Sequence, residues 1–242
     1  MVSEIQRKIG IILPSSNTIV EPRSYELISR VPGVSLHFAR LPVVRIEANE
    51  TSFRQFEWEA FDRACDELLS AEVDELIWNG TSGGWLGFDW DRTLSEHLTS
   101  VAKRPVITAF EATIEATKAL GVRRISLVTP YIEELNQRIM RNFAAVGIDV
   151  IKECYLNLGQ NTDFARISPN TILTCLQEVD DDDAHASVIF CTNMNGSVVV
   201  RAWERQSHKP VIDSVQATLW CALKRLNVST TSLTRYGQLF GR

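Results

Sequence analysis

Ser187 to Ser197 reads SVIFCTNMNGS, a short apolar run that ends in a thiol followed by small polar residues. Ser187 to Phe190 lacks polar alternation and is bounded by turn-forming residues, as suits a strand buried on both faces of a parallel sheet. In open α/β sheets, ligands bind beyond the carboxyl ends of the strands, so Cys191, Thr192 and Asn193 are expected to face a cleft. A free cysteine at a strand end is more often a small buried hydrophobe than a catalyst, and position alone does not assign Cys191. The earlier stretch Glu75 to Gly84, ELIWNGTSGG, has the same form: an apolar run, then Gly80, Thr81 and Ser82.

The likeness extends to a second pair of segments. Arg104 to Leu120 reads RPVITAFEATIEATKAL and Lys209 to Arg225 reads KPVIDSVQATLWCALKR; aligning Pro105 with Pro210 also pairs Val106 with Val211, Ile107 with Ile212, Ala112 with Ala217 and Thr113 with Thr218. This is a duplicated strand and helix unit. Working backward, Gly80 to Ser82 pairs with Cys191 to Asn193, and Leu13-Pro14-Ser15 pairs with Thr129-Pro130-Tyr131. Two α/β lobes related by a pseudo-twofold would turn these strand ends toward one shared cleft. Pro14, Ser15, Asn17, Thr81, Ser82, Tyr131, Cys191, Thr192 and Asn193 are then expected to converge there.

The remaining elements follow from periodicity. Lys8 to Leu13 reads as a first strand, with the turn and capping residues Pro14 to Thr18 after it and a helix over Thr18 to Ser29. Pro32-Gly33 turns into a strand over Ser35 to Leu41, and Ile46 to Phe53 reads as a polar loop. Phe56 to Leu69 carries Phe56, Ala60, Phe61, Ala64, Cys65 and Leu68 on one helical face. Asp74 to Trp78 is a strand, Leu94 to Ala102 a helix, Pro105 to Thr108 a strand, and Glu111 to Leu120 a helix closed by Gly121. The second half repeats the order: strand Arg124 to Val128, helix Glu133 to Val146, strand Val150 to Cys154, loop Leu158 to Ile167, helix Pro169 to Val179. The first lobe is expected over residues 1–118, completed by 216–242, and the second over 119–215.

Several function classes are disfavoured. A formal charge of −5 gives no basic footprint for nucleic acid. The glycine cluster Gly80 to Gly84 has neither the spacing nor the lysine of a phosphate loop, and it more simply lets backbone amides approach a ligand. The acidic run Asp180 to Asp183 lacks the alternating ligands of a calcium loop. The five cysteines are scattered without C-x-x-C pairs, and His37, His97, His185 and His208 are isolated, so no metal site and no disulfide framework is expected. MVSEIQRK at the start is charged and no apolar run approaches the ~18 residues of a membrane span. A reducing, cytoplasmic protein without a membrane partner is expected. Trp78, Trp85 and Trp90 beside the first strand end could line a pocket or simply fill a core. Hydroxyls, amides and glycine backbone without Lys or His suit a small carboxylate held by hydrogen bonds, which leaves the chemistry to the thiol.

GIILPSSNT near the start, GTSGG, VTPYIEELN, LGQNTDFARIS, IFCTN and the terminal YGQLF together resemble the aspartate/glutamate racemase superfamily, in its branch of maleate cis-trans isomerases and arylmalonate decarboxylases. The resemblance spans nearly the whole chain. It implies an α/β fold of two pseudosymmetric, Rossmann-like lobes, each with a central parallel four-stranded sheet flanked by helices, and an active site between them. It also implies a small dicarboxylate substrate, no cofactor, and thiols at the two facing strand ends that move protons on the carbon beside a carboxylate. The homo-oligomeric state is left open by it.

One departure bears on the reaction. Cys191 fits the second thiol position, but the first is Gly80, leaving room opposite Cys191 and an acid or base on one face only. The decarboxylase branch resembles this pattern, with Cys191 and Tyr131 as the catalytic pair and Thr81, Ser82 and the backbone amides of Cys191 and Thr192 as donors. Asn17, Asn161 and the CTN of Cys191 to Asn193 look more like the maleate isomerases, in which the first thiol adds to the alkene. The leading expectation is a decarboxylase of a substituted malonate. An isomerase of the maleate type is the alternative, and a non-catalytic carboxylate-binding protein the second.

Overall fold

A computed structural model describes residues 7–242, so most of the charged stretch MVSEIQRK lies outside the described residues. The first half runs β1 (Arg7–Pro14), α1 (Val20–Ile28), β2 (Val34–Leu41), α2 (Glu50–Phe53), α3 (Trp58–Leu69), β3 (Glu75–Trp78), α4 (Gly83–Leu86), α5 (Phe88–Ala102), β4 (Val106–Thr108) and α6 (Ala109–Leu120). The second runs β5 (Arg124–Thr129), α7 (Glu133–Ala145), β6 (Asp149–Tyr155), α8 (Asn161–Phe164), α9 (Pro169–Glu178), β7 (Ala186–Ile189), α10 (Val200–Ser207), β8 (Val211–Asp213) and α11 (Ser214–Arg225), followed by two short 3-10 segments. The strands form two four-stranded sheets in the orders β2-β1-β3-β4 and β6-β5-β7-β8. All pairings within them are parallel, as expected.

The repeat is kept residue for residue at its end. β4 and α6 span 106–108 and 109–120, β8 and α11 span 211–213 and 214–225, and every boundary differs by 105. Thr108 and Asp213, which also differ by 105, cap the two helices by accepting from the backbone N–H groups of Glu111 and Gln216. Each cap satisfies an otherwise orphaned donor and contributes about 1 kcal/mol. β3 and β7 are wholly buried, and their neighbours β1 and β5 nearly so, which is why they read as apolar runs. α11 is buried along the whole run Ser214 to Leu223, packs on α6, and touches β3 and β4 as well as β8.

Four local expectations are corrected. Ile46 to Phe53 is not all loop, because Asn49 caps a helical turn by accepting from the Ser52 N–H. The glycine-rich strand end continues into α4, and α5 starts six residues before Leu94, at Phe88. The break between them is Gly87, whose φ of +116° is open to glycine alone in practice, and the polar Asp89-Trp90-Asp91-Arg92 masks the helix start in the sequence. The stretch Leu158 to Ile167 holds one helical turn, α8, and α10 was absent from the periodic reading. Its face is narrow, with Val200, Trp203 and Glu204 buried in a run that is otherwise polar. No helix among the described residues is long and apolar enough to cross a membrane.

Candidate active site

The carboxyl ends of β1, β3, β5 and β7 meet across the two sheets and enclose a cavity. Pro14, Gly80, Thr81, Ser82, Tyr131, Asn161, Cys191, Thr192 and Asn193 line it, together with Ile46, Phe56, Trp78 and Trp85. The cavity is narrow, with room for about one water.

Cys191 lies at the end of β7, only 2% exposed. Burial pushes its thiol up to about 12, against the opposing hydrogen bonds of Tyr131 and of the Asn193 and Met194 backbone, with Asp213 adding to the rise. At neutral pH it is therefore a protonated thiol, a donor of protons rather than a resting nucleophile. Tyr131 is just past the end of β5, 1% exposed, its hydroxyl bonded to Thr81 and close enough to Cys191 to perturb it. The Thr81 Oγ1 to Tyr131 Oη distance is 2.6 Å. Burial, then the neighbouring Cys191, raises the phenol well above its usual range, so it stays a hydrogen-bond donor. Ser82 Oγ accepts from the Trp78 indole Nε1 at 3.0 Å, which leaves the hydroxyl proton of Ser82 free for another acceptor.

The room expected beside Gly80 is filled. A side chain begun there would meet the Trp78 ring, with Cε2 and Cη2 at 2.6 and 2.7 Å from the Cβ position and Cζ2 closer still. The φ of Gly80 is not in the left-handed region, so the glycine is required by the indole and not by the backbone. Trp78 is fully buried and stacks edge-on with Phe61, centroids 4.9 Å apart, which holds the ring over the glycine.

Among the polar residues expected to converge, several are occupied in joining the lobes. Asn17 lies just outside the cavity: its Oδ1 caps α1 through the N–H groups of Ile19 and Val20, and its Nδ2 donates to Thr192 Oγ1 at 3.3 Å. Thr192 Oγ1 donates to the Asn79 carbonyl at 3.0 Å. Asn193 accepts from the Thr18 N–H and donates to the Asn161 carbonyl at 2.7 Å, while Asn161 Nδ2 donates to Ser16 Oγ, also at 2.7 Å. Ser15 is exposed at the surface end of β1 and does not line the cavity.

Sequence reading missed the apolar wall. Ile46 comes from the segment between β2 and α2, tied to the second lobe by its N–H to the Gly159 carbonyl at 2.9 Å, and Phe56 follows α2 and packs edge-on against both Trp78 and Trp85. The signal was the recurrence of Val43, Ile46, Phe53 and Phe56 within a polar stretch, which burial alone explains. Trp85 stacks on Tyr131, centroids 4.8 Å apart, whereas Trp90 lies behind Phe56 and Phe61, outside the cavity.

Comparison with known proteins supports the same architecture. A maleate isomerase of Geobacillus stearothermophilus is 26% identical over 235 residues, 92% of this chain and 93% of the relative. The crystal structure of the maleate isomerase Iso from Pseudomonas putida S16 superposes with a TM-score of 0.88 at 26% identity, covering 97% of this chain and 98% of that one. An arylmalonate decarboxylase of Bordetella bronchiseptica is 24% identical over 156 residues, 64% of this chain and 65% of the relative. The family model described as arylmalonate decarboxylase matches residues 9–240, both lobes and both strand ends included, and the chain belongs to that family.

Proposed function

We propose that the protein is a cofactor-free lyase that decarboxylates a substituted malonate, with Cys191 as its only proton donor to carbon. The observation that carries this reading is the indole of Trp78 over Gly80, which takes the volume a second thiol would need. One substrate carboxylate would accept hydrogen bonds from Thr81, Ser82 and Tyr131 and from backbone amides at Cys191 and Thr192. The other would lie against Ile46, Phe56 and Trp85, where water does not solvate it. Loss of carbon dioxide breaks the bond to that carboxylate and leaves its electron pair on the remaining one as an enediolate. Each well-aimed donor stabilises that charge by about 3–4 kcal/mol. The Cys191 thiol then gives its proton to carbon and is reprotonated from solvent, so one proton is consumed per carbon dioxide released. Because the cavity holds about one water, it must widen to admit a dicarboxylate.

A second reading is an isomerase of maleate. It is favoured by the relatives: the maleate isomerases match more than nine-tenths of the chain, the decarboxylase about two thirds. It must form fumarate without a thiol at residue 80. Turnover of arylmalonates, alkylmalonates and maleate by the purified enzyme separates the readings. Carbon dioxide with a monocarboxylic product supports the lyase, and fumarate from maleate without carbon dioxide replaces it with the isomerase.

A further inference from the structure

A second concavity shares no lining residue with the Cys191 cavity. It has a volume of about 270 Å³ and lies between α1, the Gly196–Val198 turn, α10, α11 and the 3-10 segment Thr231–Tyr236. This is near the lower end of pockets that hold small molecules, about 300 Å³. Three arginines, Arg23, Arg201 and Arg235, come to it from three different elements.

Their charges are incompletely answered. Arg23 Nη1 pairs with Glu26 at 2.6 Å, but its Nε is buried with no hydrogen-bond partner. Arg201 reaches Glu204 only at 3.3 Å, and that carboxylate already accepts from the backbone N–H groups of Val211 and Gln238. Arg235 lies over the Tyr236 ring, 5.4 Å from its centroid, and makes no ion pair among the described residues. Gln216, wholly buried, also lines the pocket: its Nε2 donates to the Tyr236 carbonyl at 3.3 Å, and its Oε1 has no partner. Ser197 Oγ is likewise buried and unpartnered. Buried polar groups without partners are costly, and a fold bears them where a ligand supplies the missing bonds.

The unmet needs are of both kinds. Guanidinium N–H groups require oxyanion acceptors, which planar arginine forks match well, whereas Gln216 Oε1 can only accept. We infer that this pocket binds a small oxyanion that also carries a hydroxyl, a hydroxy acid or a phosphate monoester. Its anionic group would lie between Arg201 and Arg235 and its hydroxyl would donate to Gln216 Oε1. The site is separate from the Cys191 cavity and does not depend on which reaction runs there.

Calorimetric titration of the full chain with malate, succinate, glycerol phosphate and sulfate tests the assignment. Malate or glycerol phosphate should bind saturably, and the hydroxyl-free succinate and sulfate at least about tenfold more weakly. Arg235→Gln, at an exposed position, should weaken binding by at least about tenfold with an unchanged melting temperature, Arg201→Gln should weaken it as much while also losing the pair with Glu204, and Tyr131→Phe should leave it intact. No saturation by either hydroxylated anion below about 10 mM would overturn the site. Binding that ignores the arginine variants but disappears in Tyr131→Phe would move the ligand to the Cys191 cavity and overturn it equally. Equal affinity for malate and succinate would remove the hydroxyl from the ligand class.

Discussion

The ends of β3 and β7 share one backbone plan and carry different chemistry. Two residues before Gly80 stands Trp78, and two residues before Cys191 stands Ile189; both are wholly buried and pair with the first strand of their own sheet, at Ile12 and Val128. Trp78 curls forward over the glycine that follows it, whereas Ile189 reaches under Gly196, 2.7 Å from that residue's Cβ position, and leaves the strand end open for the thiol. A side chain at the strand end and a large aromatic two residues earlier compete for one volume. The fold can carry an indole or a thiol there, and each lobe has taken a different one.

Removing the thiol should break this contrast most severely. Cys191→Ala is expected to lower the rate by at least about two orders of magnitude with little change in melting temperature, as measured by turnover and thermal unfolding of the same preparation. Normal turnover in that variant would end the single-thiol mechanism. Since burial holds the thiol at about 12, the wild-type rate should stay flat from pH 6.5 through the ordinary thiol range near 8.5, and a fall there would mean an exposed, unperturbed cysteine.

Tyr131→Phe removes the hydroxyl that bonds Thr81 and neighbours Cys191, and about a tenfold to hundredfold loss in kcat is expected, with stability less affected. A variant that instead unfolds but keeps its activity per folded molecule would make Tyr131 a packing residue.

The comparison is sharpened by exchanging the two solutions. Gly80→Cys alone should destabilise by about 1–3 kcal/mol, because the new Cβ runs into the indole. Combining it with Trp78→Ile, the residue used in the other lobe, should recover part of that loss through a coupling of about 1 kcal/mol or more in a denaturant double-mutant cycle. With room for the second thiol, the double variant should exchange and racemise an α-substituted carboxylic acid in deuterated water, whereas Gly80→Cys alone should not. Strict additivity would mean that the two positions do not compete.

The smallest effect concerns the buried carboxyl at the cap of α11. Burial pushes Asp213 up to about 7, against a value near 3.9 in the unfolded chain. The native state therefore holds the proton where the unfolded state releases it, so this group's contribution to stability falls as pH rises from about 4 to 7 and is level above. Asp213→Asn keeps a capping side chain and should reduce the drop in melting temperature between pH 5 and 8. Glu75, raised to about 8 by burial against the opposing Arg225, adds a slope of the same sign that this substitution leaves in place. An unchanged pH profile in Asp213→Asn would show that the carboxyl is ionised throughout.

The buried strands and the duplicated final unit were legible in the sequence because burial on both faces writes a continuous apolar run, and because duplication left Val106-Ile107 and Val211-Ile212 in matching places. The strand-end residues Thr81, Ser82, Tyr131 and Cys191 were legible for the same reason. The fate of the space beside Gly80 was not, since a missing side chain reads as room until a neighbour's rotamer is known. Nor was the apolar wall of Ile46 and Phe56, which belongs to a segment with no periodicity and is set by where that segment crosses to Gly159. Asn17 and Asn193 read as ligand donors because amides at strand ends serve a substrate and a lobe contact equally well; their partners put both in lobe contacts, Asn193 while still lining the cavity.

The placement of α11 has a consequence for how the chain is made. Most of α6 is buried in the finished molecule, where the helix packs against α11. The buried stretch of α11, Ser214 to Leu223, leaves the ribosome after all eight strands of the two sheets. Until then the first sheet, though complete in its strands by Thr108, lacks the helix that packs on α6 and touches β3 and β4. A nascent chain arrested before Ser214 should be captured by chaperones and cut readily by protease, however well its first four strands have paired.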